Sequence, residues 1–186
     1  MIFKVIMIII VLIAFSYMLF NSKMNVFPIL LNQFMVLKNY RNNKISIKDI
    51  FCFYLIPLFI SVILVLVFNF NIDKSIISNL ITIYSIVFSL LIGIITLLIP
   101  KKESSCINNQ IKDETVVTCL NNVIVCVLTL ISLLFLSVTQ ECKNLAFNTV
   151  NIVTLFLIMI SINFMMLILK RFFILMKDDK NGKGGI

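Results

Sequence analysis

The sequence has no histidine and no tryptophan, and only four glycines and three prolines in 186 residues. Without histidine, the chain lacks the most common general base and metal ligand of proteins. Three of the glycines lie within the last five residues, so the sequence contains no glycine-rich phosphate-binding loop. These absences exclude the familiar catalytic and nucleotide-binding motifs. They predict a protein that is not an enzyme and that holds no cofactor or metal.

The cysteines are too widely spaced for a Cys-x-x-Cys motif, which excludes a zinc clip and a thioredoxin-like redox pair. The five are Cys52, Cys106, Cys119, Cys126 and Cys142. Cys119 and Cys126 lie seven residues apart on one face of a predicted helix, where we expect them to act as small apolar side chains. Cys142 falls in a predicted outer turn, either as a free thiol or in a disulfide between subunits.

Charged residues are also scarce, at 13% of the chain, whereas hydrophobic residues make up 61%. Soluble domains contain roughly 25% charged and 45–50% apolar residues. A soluble fold of this size could not cover so much apolar surface, and a disordered chain would have too much of it to expose. The sequence therefore predicts a protein whose solvent is lipid.

Four uncharged stretches are long enough to cross a bilayer, which requires about 20 apolar residues per helix. They cover residues 51–70, 75–99, 119–139 and 145–169. Residues 2–20 are predicted to form a fifth, N-terminal span, because no signal-peptide cleavage site follows them. Residues 24–37 are apolar but interrupted, which indicates an interfacial helix or a shallow re-entrant segment. The predicted fold is an all-α, polytopic transmembrane helical bundle.

The distribution of basic residues predicts the orientation of this bundle. Thirteen of the sixteen lie in the loop 21–49, in the loop 100–118 or after residue 169. Because basic residues accumulate on the cytoplasmic side, we expect the C-terminus inside the cell and the N-terminus outside. Residues 177–186 are predicted to be a flexible basic tail, and the short turns at 71–74 and 140–144 predict two antiparallel hairpins.

The third span carries a stripe of small residues on one side of the helix. The stripe consists of Ser78, Thr82, Ser85, Ser89, Gly93 and Thr96. Two consecutive small-xxx-small steps, from Ser85 through Ser89 to Gly93, are typical of close helix–helix approach in membranes. We expect this stripe to pack against a helix of the same subunit or of a neighbouring one. A row of hydroxyl groups along a water-filled path is the alternative.

The fourth and fifth spans contain polar residues that predict further helix contacts. Asn122, Thr129 and Ser132 share one side of the fourth span, and Asn151, Thr154 and Ser161 share one side of the fifth. An asparagine side chain is costly in hydrocarbon unless it has a partner, so we expect Asn151 to lie at a helix-packing or oligomer interface, with Asn163 also facing protein. No charged residue lies within the four spans, which argues against pumps and ion-coupled carriers.

A basic segment, KNYRNNKISIK, precedes the second span and predicts a contact on the cytoplasmic side. On a helix, Lys38, Arg41, Lys44 and Lys48 would cover one side. We expect them to contact anionic lipid headgroups or a soluble protein partner. Direct nucleic-acid binding is not expected, because the segment is a single basic run without interleaved aromatic residues.

The chain favours Ile, Asn, Lys and Phe, and Ala14 and Ala146 are its only alanines, which is typical of an AT-rich gene. With its uncharged spans, its SxxxSxxxG step and the basic KNYRNNK segment, it resembles membrane subunits of bacterial antiphage systems, in particular that of the Kiwa system. The resemblance lies in the overall organisation. It implies a non-enzymatic, oligomeric sensor in a bacterial inner membrane that partners a soluble effector. From the small-residue stripe, the uncharged spans and the basic inner loop, we expect a homo-oligomeric membrane sensor or anchor with a soluble cytoplasmic partner. The alternatives are a pore- or channel-forming effector, or a small transporter or bacteriocin-immunity-type protein.

Overall fold

The computed structural model describes residues 28, 29, 31, 47–99, 106–139 and 145–182. These residues form four long helices and contain no strand. Helix α1 consists of three consecutive segments, Ile47–Ile50, the π-helical Phe51–Leu55 and Ile56–Leu66, and is followed by α2 (Lys74–Leu98), α3 (Cys106–Thr139) and α4 (Leu145–Gly182). The predicted all-α helical bundle is confirmed.

Each helix contains a segment that is long and apolar enough to cross a membrane. The segments are Lys48–Leu66, Lys74–Leu98, Asn109–Thr139 and Phe147–Leu175. The chain is therefore a multi-pass membrane protein, with helices where the four spans were predicted. The predicted span at 2–20 lies outside the described residues, as do most of the loop 21–49 and the outer turn with Cys142.

Two helices extend further than the sequence analysis expected. Helix α3 begins at Cys106, so residues 106–118 of the predicted polar loop 100–118 are helical. Helix α4 continues to Gly182, past the predicted span end at 169 and into the predicted tail. The reason is that hydropathy marks the part of a helix that lies in lipid, whereas a helix continues as long as its residues favour helical backbone.

Helices α3 and α4 form a central antiparallel pair, and α1 and α2 pack against different sides of it. Tyr84 and Leu91 of α2 cluster with Cys119 and Cys126 of α3 and with Ile168 of α4. A separate cluster joins Phe53 and Tyr54 of α1 with Val125, Ile160 and Phe164 of the central pair. Although α1 and α2 are consecutive in the chain, they do not pack along each other.

The connection between α1 and α2 is a crossover, and the predicted hairpin of the second and third spans is wrong. Residues 67–73, the crossover turn, pass over one end of the central pair. Ile72 is buried there against Leu133, Leu136 and Phe147. A short turn fits a hairpin by length, but these contacts across the end of the pair separate the two helices. The opposite end, where Lys48, Glu114 and Arg171 lie, is called the charged end below.

Candidate functional site: the open face of α2 and the buried polar seam

The small-residue stripe lies on the outward face of α2. The side chains of Ser78, Thr82, Ser85, Ser89 and Thr96 are exposed, and Gly93 is half-buried. Hydroxyl groups of the stripe donate to backbone carbonyls of their own helix, for example Ser85 Oγ to Ile81 O at 2.8 Å and Ser89 Oγ to Ser85 O at 3.1 Å. A Cβ atom added at Gly93 would meet no described atom within 4 Å. Within the described part of the chain, the stripe therefore approaches no other helix.

Large apolar residues on the other side of α2 attach this helix to the bundle. The buried residues of α2 recur every seven positions, at Ile77, Tyr84, Leu91 and Leu98. At 100° per residue, this row and the small-residue stripe lie about 150° apart around the helix. Among the described residues, no helix packs against the stripe, and its packing against another helix of the same subunit or of a neighbouring one stays a prediction. The seven-residue spacing of these four residues could have indicated the attached face of α2. It does not stand out in the sequence, because the helix is apolar on almost every side.

Asn151, which was predicted to face protein, is buried and holds the crossover turn of its own chain. Its Nδ2 atom donates to the backbone carbonyl of Phe70 at 2.7 Å. Its Oδ1 atom has no hydrogen-bond partner among the described residues. Asn151 therefore acts in packing within the chain, near the end of the central pair that the turn covers.

Of the four predicted basic contact residues, the structure describes Lys48, which is exposed at the start of α1. Lys38, Arg41 and Lys44 lie outside the described residues. Lys48 is located at the charged end, as are the first turns of α3 and the last turns of α4. The position of Lys48 is compatible with either lipid or protein contact.

A seam of buried polar residues runs between α3 and α4. Ser161 Oγ donates to Asn122 Oδ1 at 2.9 Å, and both residues are buried. Seven residues along each helix toward the crossover turn, Thr129 and Thr154 are buried at a matching level, because the helices are antiparallel. Their hydroxyl groups donate to Val125 O at 2.7 Å and to Val150 O at 2.8 Å, respectively. The polar sides noted separately in the two spans thus face each other.

Three helices meet at the Asn122–Ser161 hydrogen bond. Cys126 Sγ lies 3.9 Å from Ser161 Oγ, and Tyr84 of α2 donates to Ile158 O of α4 at 3.5 Å. Asn122 Nδ2 is buried and has no hydrogen-bond partner among the residues that the structure describes. Cys126 and Cys119 are free and fully buried in the apolar cluster, which confirms their prediction as small apolar side chains.

At the charged end, Arg171 joins α4 to α3, although it was not predicted as a contact residue. Arg171 of α4 donates from Nη1 to Thr118 Oγ1 at 2.6 Å and to the backbone carbonyl of Glu114 at 3.0 Å. Its Nη2 atom forms an ion pair with Glu114 Oε2 at 3.3 Å. From the sequence, Arg171 was counted only among the basic residues that predict the membrane orientation, because its partners on α3 lay in a segment predicted to be a loop.

Asn163 donates to a backbone carbonyl that Pro57 leaves without its α-helical partner. Pro57 has no amide hydrogen, so the carbonyl four residues earlier, that of Phe53, cannot receive its usual α-helical hydrogen bond. Asn163 Nδ2 donates to this carbonyl at 3.4 Å. The π-helical segment Phe51–Leu55 ends two residues before Pro57, where the proline disrupts the helical ladder.

A further asparagine joins the segment that was predicted to be interfacial or re-entrant. Asn121 of α3 donates from Nδ2 to Ile29 O at 3.1 Å. Asn121 lies seven residues past Glu114, hence about 10 Å further along the membrane-spanning helix. This hydrogen bond places Ile29 against α3; the choice between an interfacial helix and a re-entrant segment for residues 24–37, most of which lie outside the described residues, stays a prediction.

The described residues provide packing surfaces between helices. Within residues 47–99, 106–139 and 145–182, no cluster of three His, Cys, Asp or Glu side chains forms that could bind a metal ion. The hydroxyl groups of Thr129 and Thr154 are bonded to their own helices, which lowers their cost in a water-free interior. The described residues form a core with buried interhelical hydrogen bonds, and the small-residue stripe of α2 is exposed among them.

Comparison with known proteins adds no relative: the chain matches no protein-family model, no curated protein and no solved structure.

Proposed function

We propose that this multi-pass membrane protein is a non-enzymatic membrane sensor or anchor, which assembles with further copies of itself and partners a soluble cytoplasmic protein. The observation that carries the proposal is the outward-facing small-residue stripe of α2. Its hydroxyl groups cost little to bury because they are bonded within the helix, and Gly93 permits close backbone approach. In lipid, helices associate through such close packing and not through a hydrophobic driving force.

The stripe also differs from the other outward surfaces of α2. Ile83, Ile86, Leu90 and Leu97 present large exposed side chains, as is usual for positions that face lipid chains. A second copy of the chain is therefore the occupant that we propose for the small-residue stripe. Membrane lipids would cover the remaining apolar surface.

The charged end supports a contact with a soluble partner. Helices α3 and α4 have 34 and 38 residues, whereas about 20 helical residues span the hydrocarbon core. Because Glu114 and Arg171 clamp the two helices together near this end, their extensions form a paired surface beyond the core. With the basic residues counted as cytoplasmic, this surface lies inside a bacterial cell, at the inner membrane.

A pore is the second candidate function, and the same stripe favours it. Exposed hydroxyl groups along one helix face could line a water-filled path at the centre of an oligomer. The buried seam between α3 and α4 does not favour a path through a single chain, since bulky residues such as Leu133 and Leu136 fill the same interface. The two candidates differ in whether the stripe is dry or hydrated in the assembly.

The experiment compares the wild-type protein with Gly93→Ile and with the control Ile83→Phe, which adds bulk about 120° from the centre of the small-residue stripe around α2. Light scattering of the protein in lipid nanodiscs measures the number of copies, and ion flux across proteoliposomes tests for a pore. We expect the wild type and Ile83→Phe to be oligomeric, Gly93→Ile to be smaller, and no protein to conduct. A monomeric wild type would contradict self-assembly. Ion flux through the wild-type protein would contradict the sensor or anchor and favour a pore. Co-purification from host membranes tests the soluble partner separately.

A further inference from the structure

The crossover turn carries an unusual concentration of exposed apolar side chains for a non-helical segment. Val67 is 67% exposed, Phe68 70% and Phe70 41%. The first charged residue after this group is Asp73. Such a patch on a turn requires a covering partner, because exposed aromatic side chains in water are costly.

Part of the backbone of this turn is hydrogen-bonded despite its irregular shape. The amides of Val67 and Phe68 donate to Ile63 O at 2.9 and 3.3 Å, and the amide of Phe70 donates to Leu64 O at 3.0 Å. Asn69 adopts a positive φ of 48°, which asparagine tolerates better than most residues. Asn151 Nδ2 donates to the carbonyl of Phe70. Unpaired backbone groups are costly in lipid, and these bonds lower that cost for the exposed part of the turn.

The depth of the crossover turn relative to the hydrocarbon core indicates whether lipid or water surrounds it. The span Lys48–Leu66 has 19 residues, and at 1.5 Å per residue it is about 28 Å long, close to the thickness of the hydrocarbon core. Leu66 therefore lies where the core ends, and the exposed Asp73 and Lys74 lie on the aqueous side. Val67, Phe68 and Phe70 fall between these limits, in the zone where aromatic residues are enriched in membrane proteins.

We infer that Val67, Phe68 and Phe70 insert into the boundary between headgroups and acyl chains of the leaflet at the crossover turn. Lipid is the partner of this patch, and Asn151 fixes the inserted turn to α4. Ile72, on the same turn, is buried against α3 and α4, so the inserted patch is coupled to the central pair at two points. The inference stands apart from the proposed function, since a single copy without a protein partner would hold the turn in the same place.

The absence of tryptophan makes a direct test available, because a single introduced tryptophan reports its own depth. We would place Phe68→Trp in phosphatidylcholine vesicles with bromine atoms either near the headgroup or near the chain ends. Ile162→Trp, exposed near the middle of α4, is the deep control, and Asp113→Trp, exposed at the charged end, is the aqueous control. Far-UV circular dichroism confirms that each variant is folded, and Val67→Trp replaces any Phe68→Trp protein that is not.

The inference predicts that shallow bromines quench Phe68→Trp more strongly than deep ones, with the opposite order for Ile162→Trp. It also predicts blue-shifted emission relative to Asp113→Trp. Adding Asn151→Leu should increase quenching by aqueous acrylamide, since the turn loses its bond to α4. Quenching of Phe68→Trp by acrylamide as strong as that of Asp113→Trp, without quenching by lipid, would overturn the inference. So would quenching by neither lipid nor acrylamide, which would show a protein cover.

Discussion

The hydrogen bond between Asn122 and Ser161 yields a prediction in which the smaller truncation has the larger effect. Ser161 Oγ is the hydrogen-bond partner of Asn122 Oδ1, and Asn122 Nδ2 has none among the described residues. Ser161→Ala would leave both polar atoms of a fully buried amide unpaired. Asn122→Leu removes these atoms and keeps the same branching of the side chain. We therefore expect Ser161→Ala to lower the free energy of unfolding more than Asn122→Leu does.

The expected magnitudes follow from the environment of the pair. An interhelical hydrogen bond in a membrane contributes about 0.6 kcal/mol on average and up to about 1.7 kcal/mol. An unpaired buried polar group costs about 1–3 kcal/mol. We expect Ser161→Ala to cost about 1–2 kcal/mol and Asn122→Leu less than about 1 kcal/mol. The double variant should resemble Asn122→Leu alone, because once the amide is gone Ser161 has only its weak contact with Cys126 Sγ left to lose.

Reversible unfolding in mixed micelles, with increasing dodecyl sulfate and circular dichroism as the readout, measures these differences. Ser89→Ala is the matched control, since its hydroxyl group is bonded within α2 on the outward face, and it should be close to neutral. Additive effects of Ser161→Ala and Asn122→Leu would refute the reasoning, as would a larger loss for Asn122→Leu than for Ser161→Ala.

Two further predictions concern the contacts that α4 makes with α1 and α3, and they use the same unfolding measurement. Asn163→Leu should destabilise the wild type but have a smaller effect in a Pro57→Ala background, because that substitution restores a backbone amide that can bond the Phe53 carbonyl; equal effects in both backgrounds would contradict this role of Asn163. Arg171→Ala should destabilise more than Glu114→Gln, because Arg171 keeps its bonds to Thr118 Oγ1 and to the Glu114 carbonyl when the carboxylate is neutralised; the reverse order would show that the ion pair dominates.

The four helices could be predicted because uncharged apolar runs leave the chain few structures other than membrane-spanning helices. Their ends could not, because residues 106–118 are polar and hydropathy marks only the part of a helix that lies in lipid. The contact between Arg171 and Glu114 was also missed, since it joins positions far apart in the sequence and no local pattern reveals it.

The small-residue stripe could be found from the sequence, but its direction could not. Small residues indicate a face that permits close approach, and they do not say which helix approaches. The attachment of α2 depends on Ile77, Tyr84, Leu91 and Leu98, which stand among equally apolar neighbours. The crossover was missed for a related reason, since the length of a turn does not specify which faces the flanking helices prefer. Asn151 and Ile72, which hold the turn, act across the fold.

The most direct test of self-assembly through α2 is photo-crosslinking in native membranes. A benzophenone amino acid replaces Ser89 in the small-residue stripe, or Ile83 on the lipid-facing side as the control, in cells that express two differently tagged copies of the chain. The account predicts a covalent adduct between the two tagged copies from position 89 and much less from position 83. Equal yields from both positions, or no adduct between copies from position 89, would contradict it.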